Sequence, residues 1–249
     1  MQLTVRELRR RVLSVGVGWL WLVLTPLLLL GVYVFVFGVI FQARVPDGLQ
    51  VPFALWLAVA LWPWFAFSDG VLSGARAVRD NAALISKIAV PRAVLVLSYQ
   101  TAAFLLQLMG YLVVLAVIQS FSGQLTLVGF PNAVLTLLLL YAFSAGLSLG
   151  LSALQVFFRD LEQLLPILMM FWFFLTPILY TPELLPPDIR HLIFLNPVTW
   201  WVEELRSAFF LGKAVPDLKV VVFLFSSALA VMLGSWVFRR LSPHFEDFL

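Results

Sequence analysis

Residues 93–120 form the stretch AVLVLSYQTAAFLLQLMGYLVVLAVIQS, which contains no charged side chain. A helix needs about 20 apolar residues to cross a hydrocarbon layer about 30 Å thick, so this stretch predicts one crossing. Further apolar stretches predict more crossings at about 15–41, 51–75, 131–158, 164–180 and 218–238. The sequence therefore predicts an all-α integral membrane protein with six transmembrane helices in a single domain, residues 1–249.

Composition supports that fold class. Hydrophobic residues make up 62% of the 249 residues and charged residues only 12%, against roughly a quarter in soluble domains. Cysteine is absent, which excludes disulfides and thiolate metal sites, and the two histidines, His191 and His244, lie far apart in the sequence. We therefore predict no metal site. The net charge of +3 is ordinary for a membrane protein and does not indicate a nucleic-acid partner.

Motifs of catalysis and nucleotide binding are missing from the chain. It lacks the G-x-x-x-x-G-K-[ST] loop that cradles phosphates, so it must draw energy from a gradient or a partner. H-E-x-x-H and G-x-S-x-G are missing as well. Asp69, Asp80, Asp160 and Glu162 are interpreted as solvated carboxylates, mostly at span ends. We therefore predict no catalytic residues, and a membrane-embedded enzyme has weak support.

Basic residues are distributed unevenly between the two sets of loops. Eleven of the 16 Lys and Arg lie in residues 1–11, 76–92, 159–163 and the tail after 238, and the other five lie in the alternate loops. Cytoplasmic loops of membrane proteins carry the excess of Lys and Arg. Both termini are therefore predicted to be cytoplasmic, in agreement with an even number of spans.

The N-terminal residues 1–11 have the pattern of an amphipathic helix. Leu3, Val5, Leu8 and Val12 recur at roughly helical spacing, with arginines between them. The pattern predicts a short helix that lies in the membrane surface. It would either dock a partner or anchor the topology, and the sequence leaves both interpretations open.

Residues 76–92 are the polar break between the second and third predicted spans. Asn81 can cap a helix, Leu84 and Ile88 fall on one face, and Pro91 forbids continuation. The predicted helix, about nine residues within 81–91, would be roughly 13 Å long and would present an apolar ridge with basic neighbours. It is either a knob for a groove on a cytoplasmic protein or a compact loop between spans.

Residues 181–217 are too apolar for a mobile loop and too rich in proline for one ordinary span. The pattern predicts two re-entrant half-helices, about 184–194 and 198–211, hinged at Asn196-Pro197. Glu203, Glu204 and Arg206 would then sit at the membrane edge, where ionisable groups must be paired or hydrated. The segment would act either as a gate or substrate site, or as a plain periplasmic cap.

Small residues and aromatic residues mark particular spans. Gly146 and Gly150, with serines beside them, predict close helix packing in the fourth span. Aromatic side chains are dense in the first and fifth spans, where they would either guide a sugar polymer by stacking or face lipid. These aromatic residues are Trp19, Trp21, Tyr33, Phe35, Phe37, Phe41, Phe171, Trp172, Phe173, Phe174 and Tyr180.

Three segments carry a resemblance to a known family. They are WLWLVLTPLL at 19–28, FFRDLEQLLPILMMFWFFLTPILYTPELLPP at 157–187 and LNPVTWWVEELR at 195–206. Together they resemble the ABC-type polysaccharide-export permeases, which export O-antigen, capsular polysaccharide and teichoic acid. The layout is similar over the whole chain, the residues are most specific over 157–206, and the O-antigen permeases are the most similar group.

The resemblance implies partners and a location. It implies a homodimer of this chain in the bacterial inner membrane, among membrane lipids, bound to two copies of a separate P-loop ATPase. It implies no cofactor on this chain, because ATP and Mg would bind to the ATPase. The substrate would be a lipid-linked polysaccharide, with periplasmic export proteins as further candidate partners. A permease for drugs or small lipids is the alternative, and a membrane-embedded transferase is a weaker one.

The resemblance also implies roles for particular residues. The 81–91 helix would be the coupling helix seated in the ATPase, with candidate residues Asn81, Leu84, Lys87, Ile88, Pro91 and Arg92. A channel between the first and fifth spans of opposite subunits would be lined by Trp21, Tyr33, Phe37, Phe171, Trp172, Phe174 and Tyr180. The half-helices would close it outside as a periplasmic gate, with Pro186, Pro187, Asn196, Pro197, Trp200, Glu203 and Arg206.

Overall fold

A computed structural model describes residues 2–13, 18–43, 45–46, 49–85, 91–215 and 220–248. Helices account for all the regular structure in these ranges, which contain no strand. The α-helices are α1 (Gln2–Leu13), α2 (Gly18–Tyr33), α3 (Phe53–Asp80), α4 (Ala82–Ile85), α5 (Arg92–Ser122), α6 (Phe130–Phe157), α7 (Leu161–Leu175), α8 (Pro187–Ile193), α9 (Pro197–Leu211) and α10 (Val220–Leu241). A π-helical segment, Val34–Ile40, extends α2.

Among the described residues, five segments are long and apolar enough to cross a membrane: Val23–Ile40, Phe53–Asp80, Arg92–Ser122, Leu127–Phe157 and Val220–Phe245. They correspond to the predicted first, second, third, fourth and sixth spans. The all-α class and a multi-pass membrane protein are therefore confirmed.

The predicted fifth span, 164–180, differs from the structure. Its helix α7 has 15 residues and ends at Leu175, so it is about 22 Å long and shorter than the hydrocarbon layer. Pro177 explains this end, because a proline forces the preceding residue out of the helical region. Thr176 accordingly has extended backbone angles, φ −100° and ψ 132°. Tyr180 therefore lies beyond the helix, and only the part of the predicted span up to Leu175 is helical.

Helix α3 lies at the centre of the subunit. It packs against both α5 and α6, and α10 packs against α6. Trp56 and Trp62 are each only 1% exposed, and Leu55 and Leu57–Leu61 are fully buried. The first half of α3, residues 53–67, is apolar all round, and such a helix belongs in the interior of a helical assembly.

Small residues allow α6 to approach its neighbours closely, as its sequence predicts. A Cβ atom on Gly146 would overlap the backbone of Ala230 in α10, and one on Gly150 would lie 3.3 Å from Gly234 Cα. On the α3 side, Ser148 Oγ donates to the Gly70 carbonyl at 3.3 Å. The small residues at 146 and 150 therefore serve packing, because their missing side chains make room for the facing helix.

The segments between the long helices gather at two ends of the bundle. One end, named the basic end here, contains residues 2–13, 76–85, 157–163 and 239–248. The opposite end contains residues 121–130 and 176–215, together with the described part of 41–52. Contacts such as Arg79 with Glu162 and Thr126 with Phe209 join segments within an end. The two predicted sets of loops are therefore separated in space.

Helices α8 and α9 lie where two half-helices are predicted, with somewhat different bounds. The first is shorter than predicted, Pro187–Ile193 instead of 184–194, because Pro182–Leu184 forms a separate 3-10 turn. The second, Pro197–Leu211, is close to the predicted 198–211. Each begins directly at a proline, where the missing N–H costs nothing.

Candidate functional site

Four contacts join the polar segments of the basic end into one surface. Arg79 Nη1 lies 2.8 Å from Glu162 Oε2, which ties the end of α3 to the start of α7. The Tyr99 hydroxyl donates to Asn81 Oδ1 at 3.1 Å. Arg92 donates to the Ser242 carbonyl and lies over the Phe245 ring, 5.7 Å from its centroid. The start of α5 is therefore bound to the C-terminal tail.

The predicted coupling helix falls partly outside the described residues. Residues 86–90, with Lys87 and Ile88, are not described, and neither is the Leu84 side chain. Helix α4 covers Ala82–Ile85, and Pro91 precedes α5. The Asn81 side chain donates to the Ala77 carbonyl at 2.8 Å. The Asn81 side chain therefore binds a backbone carbonyl at the C-terminal end of α3, whereas the sequence predicts that it caps the helix that follows.

Helix α1 packs against α5 at the basic end. Arg10 Nε lies 3.1 Å from the Glu7 carboxylate, which is buried. Arg10 also lies over the Tyr99 ring, 5.9 Å from its centroid. The hydrogen bond with Glu7 raises the pKa of Arg10 above its ordinary value, so the positive charge stays in place. The predicted helix at 1–11 is confirmed as a helix over Gln2–Leu13.

An aromatic cleft lies at the opposite end, between the π-helical segment and the chain that follows α7. Its volume is about 820 Å³, and the predicted channel residues Phe37, Phe174 and Tyr180 line it together with Phe41. Tyr33 stacks on Phe37 with ring centroids 6.0 Å apart. The structure therefore brings residues of the predicted first and fifth spans together within one subunit.

The other predicted channel residues differ in their surroundings. Phe171 is 62% exposed and Trp21 is 47% exposed. Trp172 instead faces the interior of the subunit, where its ring packs edge-on against Phe67 with centroids 5.3 Å apart. Its Nε1 donates to Asn196 Oδ1 at 2.8 Å. Trp172 therefore connects α7 to the start of α9.

Asn196, a predicted gate residue, makes hydrogen bonds that join the end of α7 to the start of α9. Its Oδ1 accepts from the Val198 amide at 3.0 Å and so caps α9, as Asn side chains do at helix starts. Its Nδ2 donates to Thr176 Oγ1 at 2.9 Å. With the bond from Trp172, this one side chain holds the end of α7 against the start of α9. The Pro197 that follows is the first residue of α9.

Arg206 is buried at the opposite end and has several partners. Its Nη1 donates to the Pro177 carbonyl at 2.8 Å and lies 3.1 Å from Glu203 Oε1. Its Nη2 donates to the Ile178 carbonyl at 3.0 Å. The guanidinium lies over the Trp56 ring, 3.6 Å from its centroid. This one residue therefore joins α9 to α3 and to the non-helical chain after α7.

The remaining gate residues also have defined places. Pro186 precedes α8 and Pro187 begins it, and Trp200 Nε1 donates to the Phe194 carbonyl at 2.9 Å. Glu204 is buried and accepts from Asn132 Nδ2 at 2.6 Å. With the Arg206–Glu203 pair, this contact gives each of Glu203, Glu204 and Arg206 a polar partner within the protein.

Sequence reasoning missed the position of Asp69. It was grouped with carboxylates at span ends, but it lies inside α3, eleven residues before Asp80, or about 16 Å along the helix. Ser73 Oγ and Gln107 Nε2 donate to its carboxylate at 3.2 and 3.4 Å. The signal was available, because the predicted second span at 51–75 already enclosed this residue. A membrane-embedded carboxylate needs such partners.

Long apolar helices, two ends of different charge and paired ionisable groups define a multi-pass membrane protein. Groups of three His, Cys, Asp or Glu that could hold a metal do not occur among the described residues. Comparison with known families makes the assignment specific: residues 1–210 match the family of ABC-2 type transporters. The chain belongs to this family, and it is a transport component rather than a catalytic one.

Three curated relatives are similar over nearly the whole chain. An O-antigen export system permease protein RfbA from Klebsiella pneumoniae is 27% identical, over 99% of this chain and 93% of the relative. The RfbA protein of Myxococcus xanthus is 31% identical, over 99% and 94%. The polysialic acid transport protein KpsM of Escherichia coli is 23% identical, over 95% and 91%. The predicted family resemblance is therefore confirmed.

Proposed function

We propose that this chain is the permease subunit of an ATP-driven exporter that moves lipid-linked polysaccharide, of the O-antigen or capsule type, out of the cytoplasm. The observation that carries the proposal is the aromatic cleft at the opposite end, in a chain similar over its length to permeases named for O-antigen and polysialic acid. Aromatic faces hold sugar rings weakly enough to let a polymer move.

The proposal includes the partners and the architecture of the complex. Two copies of the chain form the permease in the bacterial inner membrane, and two copies of a P-loop ATPase bind ATP and Mg at its cytoplasmic side. Helix α7 and the chain that follows it to residue 180 cross the membrane as the fifth span, which brings the number of crossings to six. Helices α8 and α9 form the re-entrant gate. Periplasmic export proteins then receive the polymer.

Deleting the gene for this chain in cells that make the polymer tests the proposal. We expect the polymer to disappear from the cell surface and to accumulate inside, because synthesis continues when export stops. Expression of the chain from a plasmid should restore the surface polymer. Normal surface polymer in the deletion strain would contradict the proposal, and loss of drug or lipid efflux alone would favour the alternative substrates.

The proposed orientation predicts which residues are accessible from outside. The chain has no cysteine, so a thiol reagent labels it only at the single cysteine that is introduced. We expect Asp188→Cys to react with a membrane-impermeant thiol reagent in intact cells, and Asp80→Cys to react only after lysis. Both side chains are exposed, so accessibility in intact cells reports the side of the membrane. Labelling of Asp80→Cys in intact cells would reverse the orientation.

The proposed coupling contact predicts the effect of a charge at Leu84. We expect Leu84→Asp to abolish association with the ATPase, because a carboxylate buried without a partner costs several kcal/mol. Co-purification of the two subunits measures the effect. Val128→Asp, at a 65% exposed site of the opposite end, is the matched control and should bind normally. Normal association and export by Leu84→Asp would remove residues 81–91 from the interface.

The aromatic cleft predicts a cumulative effect of ring removal. We expect Phe37→Ala with Tyr180→Ala to lower export several-fold, because each lost stacking contact is worth about 1 kcal/mol. Tyr180→Phe keeps the ring and should export normally. Phe35→Ala is the control, since Phe35 is 58% exposed and does not line the cleft. Equal export by the double variant and the control would show that the cleft does not carry the polymer.

A further inference from the structure

The chain that follows α10 folds back against the basic end. It forms a 3-10 helix, Ser242–Asp247, and its Phe245 ring is fully buried. Phe245 packs against Phe238 of α10, with ring centroids 5.7 Å apart, and against Phe157 at the end of α6, with centroids 6.1 Å apart. Phe245 therefore anchors this tail to two helices, because burial of an aromatic ring is strongly favourable.

Phe245 belongs to a second apolar cluster, which lies apart from the main core. The tail after α10 contributes Phe245 to it, and the ends of four long helices contribute the other buried members. These members are Ala77 and Val78 of α3, Val96 of α5, Leu149, Ala153 and Val156 of α6, and Phe238 of α10. The cluster therefore holds the ends of α3, α5, α6 and α10 together at the basic end.

The same cluster lies beside the predicted coupling segment, residues 81–91. Val78, a buried member, lies just before the segment in the chain. Ile85, in α4, lies within the segment and packs against the cluster, and so does Ala93, just after the segment. The cluster therefore supports the chain that enters the coupling segment and the chain that leaves it.

Arg92 links the end of the coupling segment directly to the tail. Its guanidinium lies over the Phe245 ring, 5.7 Å from the ring centroid. It also donates to the Ser242 carbonyl. The buried ring of Phe245 is therefore in contact with the residue from which α5 starts.

We propose that Phe245 is a positioning residue for the ATPase contact. Its ring fixes both ends of the coupling segment, so that the segment is already ordered when it meets the ATPase. An ordered segment binds more tightly, because less conformational entropy is lost on association. This inference rests on the proposed contact of residues 81–91 with the ATPase, and it adds a residue distant in the sequence on which that contact depends.

Phe223 provides the matched control. Its ring is also fully buried, but it belongs to the main core, where it stacks on Trp201 with centroids 5.3 Å apart. Phe245→Ala and Phe223→Ala remove the same ring from equally buried sites, so both should lower the melting temperature. Only Phe245→Ala removes a ring beside the coupling segment. A general loss of stability would therefore affect both variants alike.

Amide hydrogen exchange of the full chain in lipid nanodiscs measures the order of the coupling segment without a partner. We expect exchange in the peptide that contains Ala82–Ile85 to rise about ten-fold in Phe245→Ala, and to stay unchanged in Phe223→Ala, because local opening depends on local contacts. Phe245→Leu keeps an apolar side chain in the cluster and should show a smaller rise. It replaces Phe245→Ala if size exclusion shows that the alanine variant does not fold.

Titration with the purified P-loop ATPase measures the consequence for binding. We expect the dissociation constant to rise about ten-fold in Phe245→Ala, because the coupling segment must then become ordered on binding. Phe223→Ala should bind the ATPase like the wild type. Phe245→Leu should lie between the wild type and Phe245→Ala in both measurements.

Three results would overturn the positioning role. They are unchanged exchange at Ala82–Ile85 in the Phe245 variants, equal changes in Phe245→Ala and Phe223→Ala, and raised exchange with undiminished binding of the ATPase. Failure of the proposed function gives a different result, because the wild type itself then does not bind the ATPase. That result would remove the positioning role together with the coupling contact.

Discussion

Arg206→Leu is expected to abolish most export and to lower the free energy of unfolding by about 3 kcal/mol. The buried guanidinium binds the carbonyls of Pro177 and Ile178 and the Glu203 carboxylate. Leucine would leave these three acceptors without a donor and would remove the contact with Trp56. Denaturation in detergent and surface polymer measure the two effects.

The conservative variant Arg206→Lys separates charge from geometry. Lysine keeps the positive charge but cannot reproduce the planar fork that binds several oxygens, nor its stacking on the indole. We expect an intermediate loss of both stability and export. If Arg206→Leu folds and exports like the wild type, Arg206 does not hold α9 in place.

Gly146→Leu is expected to separate α6 from α10 and to lower the free energy of unfolding by about 3 kcal/mol. A Cβ atom at this position would overlap the backbone of Ala230 and Val231, which cannot yield as a side chain can. Gly31→Leu is the matched control, because a Cβ on Gly31 meets nothing within 4 Å. Thermal stability in detergent compares the two, and equal melting temperatures would contradict the packing at Gly146.

The long helices and the packing of small residues could be predicted from the sequence, because each depends on a local pattern. An uncharged run such as 93–120 predicts a helix that is buried in a membrane or in a protein interior. Gly146 and Gly150 predict close helix–helix packing, whichever helix lies opposite. Asn196-Pro197 was also predictable as a helix start, since Asn is favoured as the N-cap residue and proline is favoured at the first helical position. These signals lie within a few residues of one another.

The rest depended on contacts between distant segments. Trp172 is one aromatic residue among several in α7, and only its bond to Asn196 distinguishes it from its exposed neighbours. The contact of Arg206 with Trp56 joins residues 150 positions apart in the chain. The position of Asp69 inside the second span was readable from the sequence, but its partner Gln107 was not, because Gln107 lies on another helix.

The central claim is ATP-driven export of polysaccharide, and translocation into proteoliposomes tests it most directly. The chain is reconstituted with its ATPase in inside-out orientation, and labelled lipid-linked polymer that becomes protected from an external glycosidase is counted. We expect protection to require ATP, the permease and an ATPase competent in hydrolysis. Two results would contradict the claim. One is protection of the polymer without ATP, and the other is an absence of protection although all components are present and ATP is hydrolysed.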